Sequence, residues 1–301
     1  MRGTGLAALA IDLLAGEPPA ALHPTVGMGA WISRGKALRR ATTPRKALVE
    51  GATVVAGGAA LTGALAFAVD RVLRLLPWPM RLVATGAALK PALSVRALLD
   101  AAAQVENALR AGRLQKAREL LSWHLVSRDT SSLDACGVAA AAIESVAENF
   151  NDGLVAPLLA NRVAGLGGAY VFRFVNTADA MLGYHTPELE WFGKAAARLD
   201  DALAFVPARC SALLIACAAV LTGDFAMDAL SVAAADADVT ASPNAGWPMA
   251  AMAGALGVRL EKHGHYRLNA PARAPRARDI RRARRIVLVA SILATTAADF
   301  A

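Results

Sequence analysis

The residues best suited to chemistry stand in one run, Glu144-Ser-Val-Ala-Glu148-Asn149-Phe-Asn-Asp152. Positions 144, 148 and 152 are spaced i, i+4, i+8, which on a helix lines three carboxylates along one face. Like charges at that spacing repel by about 0.2–0.5 kcal/mol per pair, and a solvated helix normally interleaves lysines between them. Here the neighbours are alanine, valine and isoleucine. Carboxylates beside an amide are hard oxygen donors, suited to magnesium and, through it, a nucleotide phosphate. The bland reading of the same face is an acidic surface stripe.

Five further polar stretches accompany this one. In Ser127-Arg-Asp-Thr-Ser-Ser-Leu-Asp134, Asp129 or Thr130 is placed to cap a helix starting near Ser131, with Asp134 in its first turn. Arg128 and the hydroxyls beside a helix N-terminus suit an anion, and the cap alone accounts for the residues equally well. In Arg173-Phe-Val-Asn-Thr-Ala-Asp-Ala-Met-Leu-Gly-Tyr184, the residues Asn176, Asp179 and Gly183 share a helical face. In Phe192–Asp201, Arg198 can pair with Asp200 or Asp201 at a membrane surface or act on a ligand. Ser242-Pro-Asn-Ala-Gly-Trp-Pro248 is a rigid loop in which Asn244 holds a ligand or a turn, and Trp247 suits an interfacial anchor. The stretch Asp12–Gly29, with His23 before Pro24, reads as a proline-fixed elbow. No Walker loop, zinc spacing or Ser-His-Asp order accompanies these motifs.

The elements that must position them are helices in a membrane. The chain has 301 residues, 56% hydrophobic and 19% charged, against about 45–50% and about 25% in soluble domains. Gly51–Val69 is free of charge, and its nineteen residues rise roughly 28 Å, close to the hydrocarbon thickness. A second candidate near Arg81–Leu99 carries Lys90 in its middle, which is costly unless the ammonium faces protein or water. Residues 100–152 are more polar and read as a cytoplasmic helical region. Residues 154–175, with Gly165-Leu-Gly-Gly168, read as a helix–turn–helix dip that returns the chain to its starting side. Ala202–Gly223 suits a span, and Ile286–Ala298 is marginal. The expectation is an all-α, polytopic helical membrane protein. It has about four to five membrane segments in a single domain over 1–301, with the more polar helical segment at about 100–153. The N-terminal apolar stretch reads as a mature helix. Cys136, Cys210 and Cys217 form no disulfide or metal pattern.

The net charge is +8. The basic residues cluster at Arg34–Lys46 and Arg273–Arg285, each just before an apolar run, as at cytoplasmic membrane flanks. No nucleic-acid motif accompanies them, so nucleic acid is not expected as a partner.

Taken in order, the stretches Asp12–Gly29, Ser127–Asp134, Glu144–Pro157, Arg173–Tyr184, Phe192–Arg209 and Ser242–Leu260 resemble the CobD/CbiB family of cobalamin biosynthesis. Their combination is specific, although no single stretch is. The resemblance implies an integral enzyme of the cell membrane with a cytoplasmic active site, an adenosylcobinamide-phosphate synthase. Such an enzyme joins aminopropanol or its phosphate to the free propionate of adenosylcobyric acid, using ATP and magnesium. On that reading Glu144, Glu148, Asp152, Arg128 and Asp129 are catalytic, and the first three hold magnesium. Asn149, Asn176, Asp179, Tyr184, Arg198, Asp200, Asp201 and Asn244 then bind substrate. An acyl phosphate made from ATP is the usual route to the amide. The metal offsets phosphate charge, Arg128 and Arg198 stabilise transferring oxygens, and a carboxylate takes the amine proton. The role of each carboxylate stays open. Membrane lipid and other enzymes of the pathway are the further partners implied.

Two stretches depart from the family pattern. His185–Gly193 differs where the amino-alcohol would be chosen, and Asn151 replaces a small apolar residue. Two other functions fit a polytopic chain with buried acids: a carrier of corrinoid or ion, and a non-catalytic scaffold for late pathway enzymes. Against a carrier, the polar motifs lie mostly at helix ends and in loops.

Overall fold

The computed structural model describes residues 2–184 and 186–300; His185, in the departing loop, lies outside the described residues. In chain order the α-helices are α1 (Thr4–Ala15), α2 (Pro24–Ala37), α3 (Pro44–Leu73), α4 (Trp78–Leu89), α5 (Val95–Arg110) and α6 (Leu114–His124). They continue as α7 (Ala135–Phe150), α8 (Ala156–Leu182), α9 (Lys194–Thr222), α10 (Ala226–Asp236), α11 (Gly246–Leu256) and α12 (Ala277–Phe300). A short antiparallel hairpin, β1 (Leu260–Lys262) with β2 (Tyr266–Leu268), precedes α12 and pairs Lys262 with Tyr266. Its turn holds Gly264 at φ +74°, a conformation glycine adopts without steric cost. Three-residue strands are too short to leave an alternating pattern in the sequence.

Among the described residues three helical runs are long and apolar enough to cross a membrane: Pro44–Leu73, Ala135–Leu182 and Lys194–Thr222. The broken pair Trp78–Ala92 and Val95–Arg110 makes a fourth if it counts as one span. The chain is an all-α, multi-pass membrane protein, with three such runs, or four counting the bent pair, against the four to five read from its sequence. The C-terminal apolar run is the outer part of α12, whose first turns carry Arg281, Arg282, Arg284 and Arg285.

The chain divides into two compact units. One comprises Met1–Leu93, Ala156–Ala204 and Ala298–Ala301; the other comprises Ser94–Val155 and Phe205–Ala297. Each unit is built from discontinuous stretches, where the sequence reads as one domain over 1–301.

In the first unit α3 starts where Thr43 accepts the Lys46 N–H and Pro44 takes the first helical position, where its missing N–H costs nothing. Glycines let α3 lie close to its neighbours. A Cβ on Gly51 would sit 1.9 Å from the Phe192 carbonyl oxygen, and one on Gly58 2.0 Å from the Phe174 ring. The orphan N–H groups of Gly5 and Leu6 at the start of α1 are both met by the Asp299 carboxylate at 2.9 Å.

Within the expected helix–turn–helix at 154–175, α8 is broken once. Ala164 and Gly165 leave helical geometry, Gly165 at φ +63°, and the helix resumes at Leu166. Gly167 and Gly168 remain helical. A Cβ on Gly168 would meet the Ala160 carbonyl at 2.3 Å, although eight residues of continuous helix would separate them by about 12 Å, so the two halves of α8 pack against each other across the break.

In the second unit the cap of α7 also differs from expectation. The helix begins at Ala135, and Asp134 accepts the Gly137 N–H at 2.7 Å. Asp129 makes a separate turn with Ser131. The alanine-rich helix former begins only after Asp134, whose short carboxylate reaches the third helical N–H. A π turn at Asn151–Val155 follows α7. α11 is buried along nearly its whole length and packs on α10, where Gly254 would place a Cβ 2.2 Å from the Asp228 carbonyl.

The second basic cluster is also not a bare membrane flank. Arg281 and Arg284 lie 2.7 and 3.2 Å from the buried Glu106 carboxylate. Arg282 bridges Asp224 and Asp279, and Arg273 holds Asp279 at 2.7 Å. Burial pushes the Asp279 carboxyl up, but Arg273, the Arg276 N–H and Arg282 more than offset it and hold the group below the usual range.

Two outcomes are expected. Gly51→Ala should lower the thermal midpoint in detergent, because overpacking of about 1–3 kcal/mol outweighs the gain of about 0.5–1 kcal/mol in helix propensity. Gly57→Ala, whose Cβ meets only the Trp31 ring edge at 3.4 Å, should be neutral or stabilising. Asp279 contributes stability that is complete above its unfolded value of about 3.9 and is lost as pH falls through its lower folded value. Asp279→Asn should therefore lose roughly 2 kcal/mol near neutrality, less than a fully buried pair because both arginines reach water. It should also flatten the decline in melting temperature below about pH 4.

Candidate active site

In the second unit the centre of the site is Glu144. It lies midway along α7, 5% exposed, with buried Ile143, Val146 and Ala147 about it. The Arg128 guanidinium, from the loop before α7, stands 3.5 Å from Glu144 Oε2. Glu144 Oε1 is buried with no hydrogen-bond partner among the described residues. A buried carboxylate oxygen with nothing to accept is expensive, and it marks a place where a ligand proton or cation would be stabilised. From the hairpin, Lys262 adds positive charge toward Glu144, and the Tyr266 hydroxyl faces the same carboxylate. Burial and the charges of Glu144 and Glu148 push the Tyr266 phenol far up, so it stays a proton donor. Its other neighbour is the Met249 sulfur at 3.8 Å.

The remaining motif residues divide around this centre. Glu148 and Asn149 occupy the exposed side of the same helix, and Asn149 Nδ2 donates to the Ser145 carbonyl and Oγ. Asp152 falls in the π turn, where Asn151 Nδ2 donates to it at 2.8 Å. The Ser211 hydroxyl in turn donates to Asn151 Oδ1 at 3.0 Å. Asn151 is thus a buried link and not an incidental departure. Asp129 is exposed; the backbone and side-chain hydrogen bonds from Ser131 hold its carboxyl below the usual range.

The expected three-carboxylate metal set is not assembled: among the described residues no three His, Cys, Asp or Glu side chains group to hold a metal. The i+8 rule assumes an unbroken α-helix. Here α7 ends at Phe150 and the wider π turn carries Asp152 off that geometry, while Glu144 is buried and Glu148 exposed.

Asn244 is buried, and its Oδ1 accepts from Arg209 at 2.9 Å. Arg209 also donates to the Phe205 and Pro243 carbonyls and stacks over the Phe205 and Trp247 rings. Asn244 therefore anchors an arginine that the sequence motifs did not single out. Trp247 is half-buried beneath that guanidinium, not standing free as an anchor.

The first unit holds its own polar cluster. Asn176 Nδ2 donates to Asp200 at 3.3 Å, and Arg173 donates to the Ala92 carbonyl and, at 3.5 Å, to Asn176. Asp179 accepts the Gly183 N–H through its carbonyl, and Tyr184 and Arg198 are exposed. Asp201 lies one turn beyond Arg198, half-buried. Nearby in the chain, Lys90 is buried and held by Asp12 at 3.3 Å and Glu17 at 2.7 Å. Glu17 also meets His23 Nε2 at 3.0 Å, and His23 Nδ1 lies 2.6 Å from the Thr25 hydroxyl. The signal for this network was the lysine inside an apolar run, whose cost required partners.

A family profile described as CobD/Cbib protein matches residues 5–287. The chain belongs to the CobD/CbiB family. Among its relatives is a protein of Rhodobacter capsulatus named cobalamin biosynthesis protein CobD, 40% identical over 289 residues, 91% of this chain and 89% of that protein. A like-named protein of Dehalococcoides mccartyi is 41% identical over 270 residues, 87% of this chain and 85% of its own length. A probable cobalamin biosynthesis protein CobD of Methanocaldococcus jannaschii is 34% identical over 264 residues, covering 87% and 86%. No solved structure matches. The CobD/CbiB match spans both units, so the polar clusters of each belong to one family sequence.

Removing one member of the buried Lys90 network should cost more than an ordinary surface charge. Lys90→Met leaves Asp12 buried without its cation and should lower stability by about 3 kcal/mol or more. Arg113→Gln, at an exposed position, should change it by less than about 0.5 kcal/mol. Detergent thermal melts compare the two.

Proposed function

We propose that this chain is the amide-forming enzyme of cobalamin biosynthesis implied by its motifs, joining aminopropanol or its phosphate to the free propionate of adenosylcobyric acid at the expense of ATP. The observation that carries this reading is the buried Glu144 with one unpartnered oxygen beside Arg128, inside a chain whose relatives are named for cobalamin biosynthesis. Forming an amide from a carboxylate requires activation of one oxygen as a leaving group and removal of a proton from the incoming ammonium. Glu144 is shielded from water and suited to accept that proton. Arg128 and Lys262 are placed to stabilise the phosphoryl oxygens as charge shifts. Tyr266, kept protonated, orients the Glu144 carboxylate.

A magnesium ion arriving with nucleotide phosphates needs only one or two protein carboxylates. Glu144 and Glu148 fit that role better than a three-acid cage, since Glu144 has an open oxygen and Glu148 is accessible. Bound there, the ion would offset phosphate charge. We place the protein in the cell membrane with this site toward the cytoplasm, where ATP is available.

The test is product formation in detergent or proteoliposomes, with adenosylcobyric acid, aminopropanol phosphate or aminopropanol, ATP and magnesium, read by corrinoid mass. Glu144→Gln should cut kcat/KM by about 100-fold or more, the scale of a lost general base, with its melting curve intact. Arg128→Gln should cut it by about 10- to 100-fold. Unchanged rates in both variants would remove Glu144 from the chemistry. Absence of product, together with movement of unaltered corrinoid across vesicles, would establish a carrier in place of the enzyme.

A further inference from the structure

Two adjoining cavities in the first unit are both lined mainly by apolar surface and differ in the charged residues beside them. One, about 410 Å³, is lined by Met28 and Trp31 of α2, Leu61 and Leu65 of α3, and Leu166 and Phe174 of α8. The other, about 490 Å³, lies between the C-terminal half of α2 and the N-terminal half of α3, where Arg34, Arg39 and Arg40 join Val49 and Val54. Both fall in the range of about 300–1,000 Å³ typical of small-molecule sites. Trp31 lines both cavities, and its Nε1 donates to the Val54 carbonyl at 3.0 Å, which fixes the indole between them. They follow one another along α2 and α3 on either side of Trp31, and of the two only the second is lined by arginines. Between Thr53 and Val69, α3 rises about 24 Å, so the groove runs along much of a bilayer's hydrocarbon depth.

The two ends call for different parts of one molecule. At the apolar end Leu61, Leu65 and Val69 are exposed on a helix apolar enough to cross a membrane, so their neighbour is hydrocarbon. At the basic end Arg39 is committed to the Glu188 carbonyl. Glu50 is committed to the Arg40 and Ala41 N–H groups at 3.1 Å. The Arg34 and Arg40 guanidinium groups make no ion pair among the described residues. In the second unit, by contrast, Arg281, Arg282 and Arg284 all face buried acids. Three arginines against one glutamate leave the mouth positive, and basic mouths between membrane helices select anionic headgroups.

We propose that this groove binds one anionic phospholipid, with an acyl chain passing Trp31 between α2, α3 and α8 and the phosphate held by Arg34 and Arg40. The site is separate from the Glu144 cluster and does not depend on the reaction assigned to it.

The test is native mass spectrometry of the full-length protein in dodecyl maltoside, titrated with phosphatidylglycerol or with phosphatidylcholine of the same acyl chains. Wild type should retain one phosphatidylglycerol per chain, about tenfold or more tighter than phosphatidylcholine. The double change Arg34→Gln with Arg40→Gln should abolish that preference. Arg113→Gln with Lys116→Gln, an equal loss of charge on α5–α6, should preserve it. Leu65→Trp, filling the apolar end, should weaken retention of both lipids. Equal retention of the two lipids by wild type, or equal loss of preference in both double variants, would overturn the proposal. Melting curves without lipid establish folding, and if Leu65→Trp fails to fold the two charge pairs decide.

Discussion

A carboxylate removed from water must be met by a cation or take up a proton, and this requirement organises much of the molecule. Glu106 is met by Arg281 and Arg284, Asp224 by Arg282, Asp279 by Arg273, and Asp12 by Lys90. All but the local Arg273–Asp279 pair join segments distant in the chain, so the charges act as registration points between helices whose apolar faces alone would slide. Basic residues that look like a lipid-facing flank in one dimension are largely spent on this task in α12. Those at the end of α2 are not, and that difference gives the first unit its basic groove mouth.

Small residues set the other constraint. Lipid supplies little drive to bring helices together, so dispersion contacts and close approach must do so. Gly51, Gly58 and Gly254 sit where any side chain would overlap a neighbouring carbonyl or ring. The alanines of α7 and α11 are buried almost completely. Such interfaces have few bulky groups to absorb a polar side chain, which is why a buried Glu144 is costly and why its supporting groups matter.

Those supports come from three directions. Arg128 precedes α7, Lys262 and Tyr266 belong to a hairpin more than a hundred residues later, and the π turn rotates Asp152 away into a bond with Asn151. The result is one buried acid among donors, with a second acid accessible on the same helix. In the reaction proposed above, that arrangement would separate proton handling from cation contact, two tasks that a symmetric row of three acids would leave undivided.

The amino-acid sequence by itself determined the helical class, the apolar runs and the residue types on which chemistry rests. Periodicity, charge-free length and turn residues are local properties, and the burden of a lone lysine in an apolar run can be computed without a fold. It also carried the family motifs, whose order survives because each is contiguous. Only the tertiary structure decided that Asp134 and not Asp129 caps α7, and that α8 breaks at Ala164 and Gly165 while Gly167 and Gly168 stay helical. It also decided that Asp152 leaves the face of Glu144 and that Asn244 serves Arg209. These depend on which groups meet across long sequence separations, and on single extra residues in a turn. Spacing rules for an ideal helix do not contain that information.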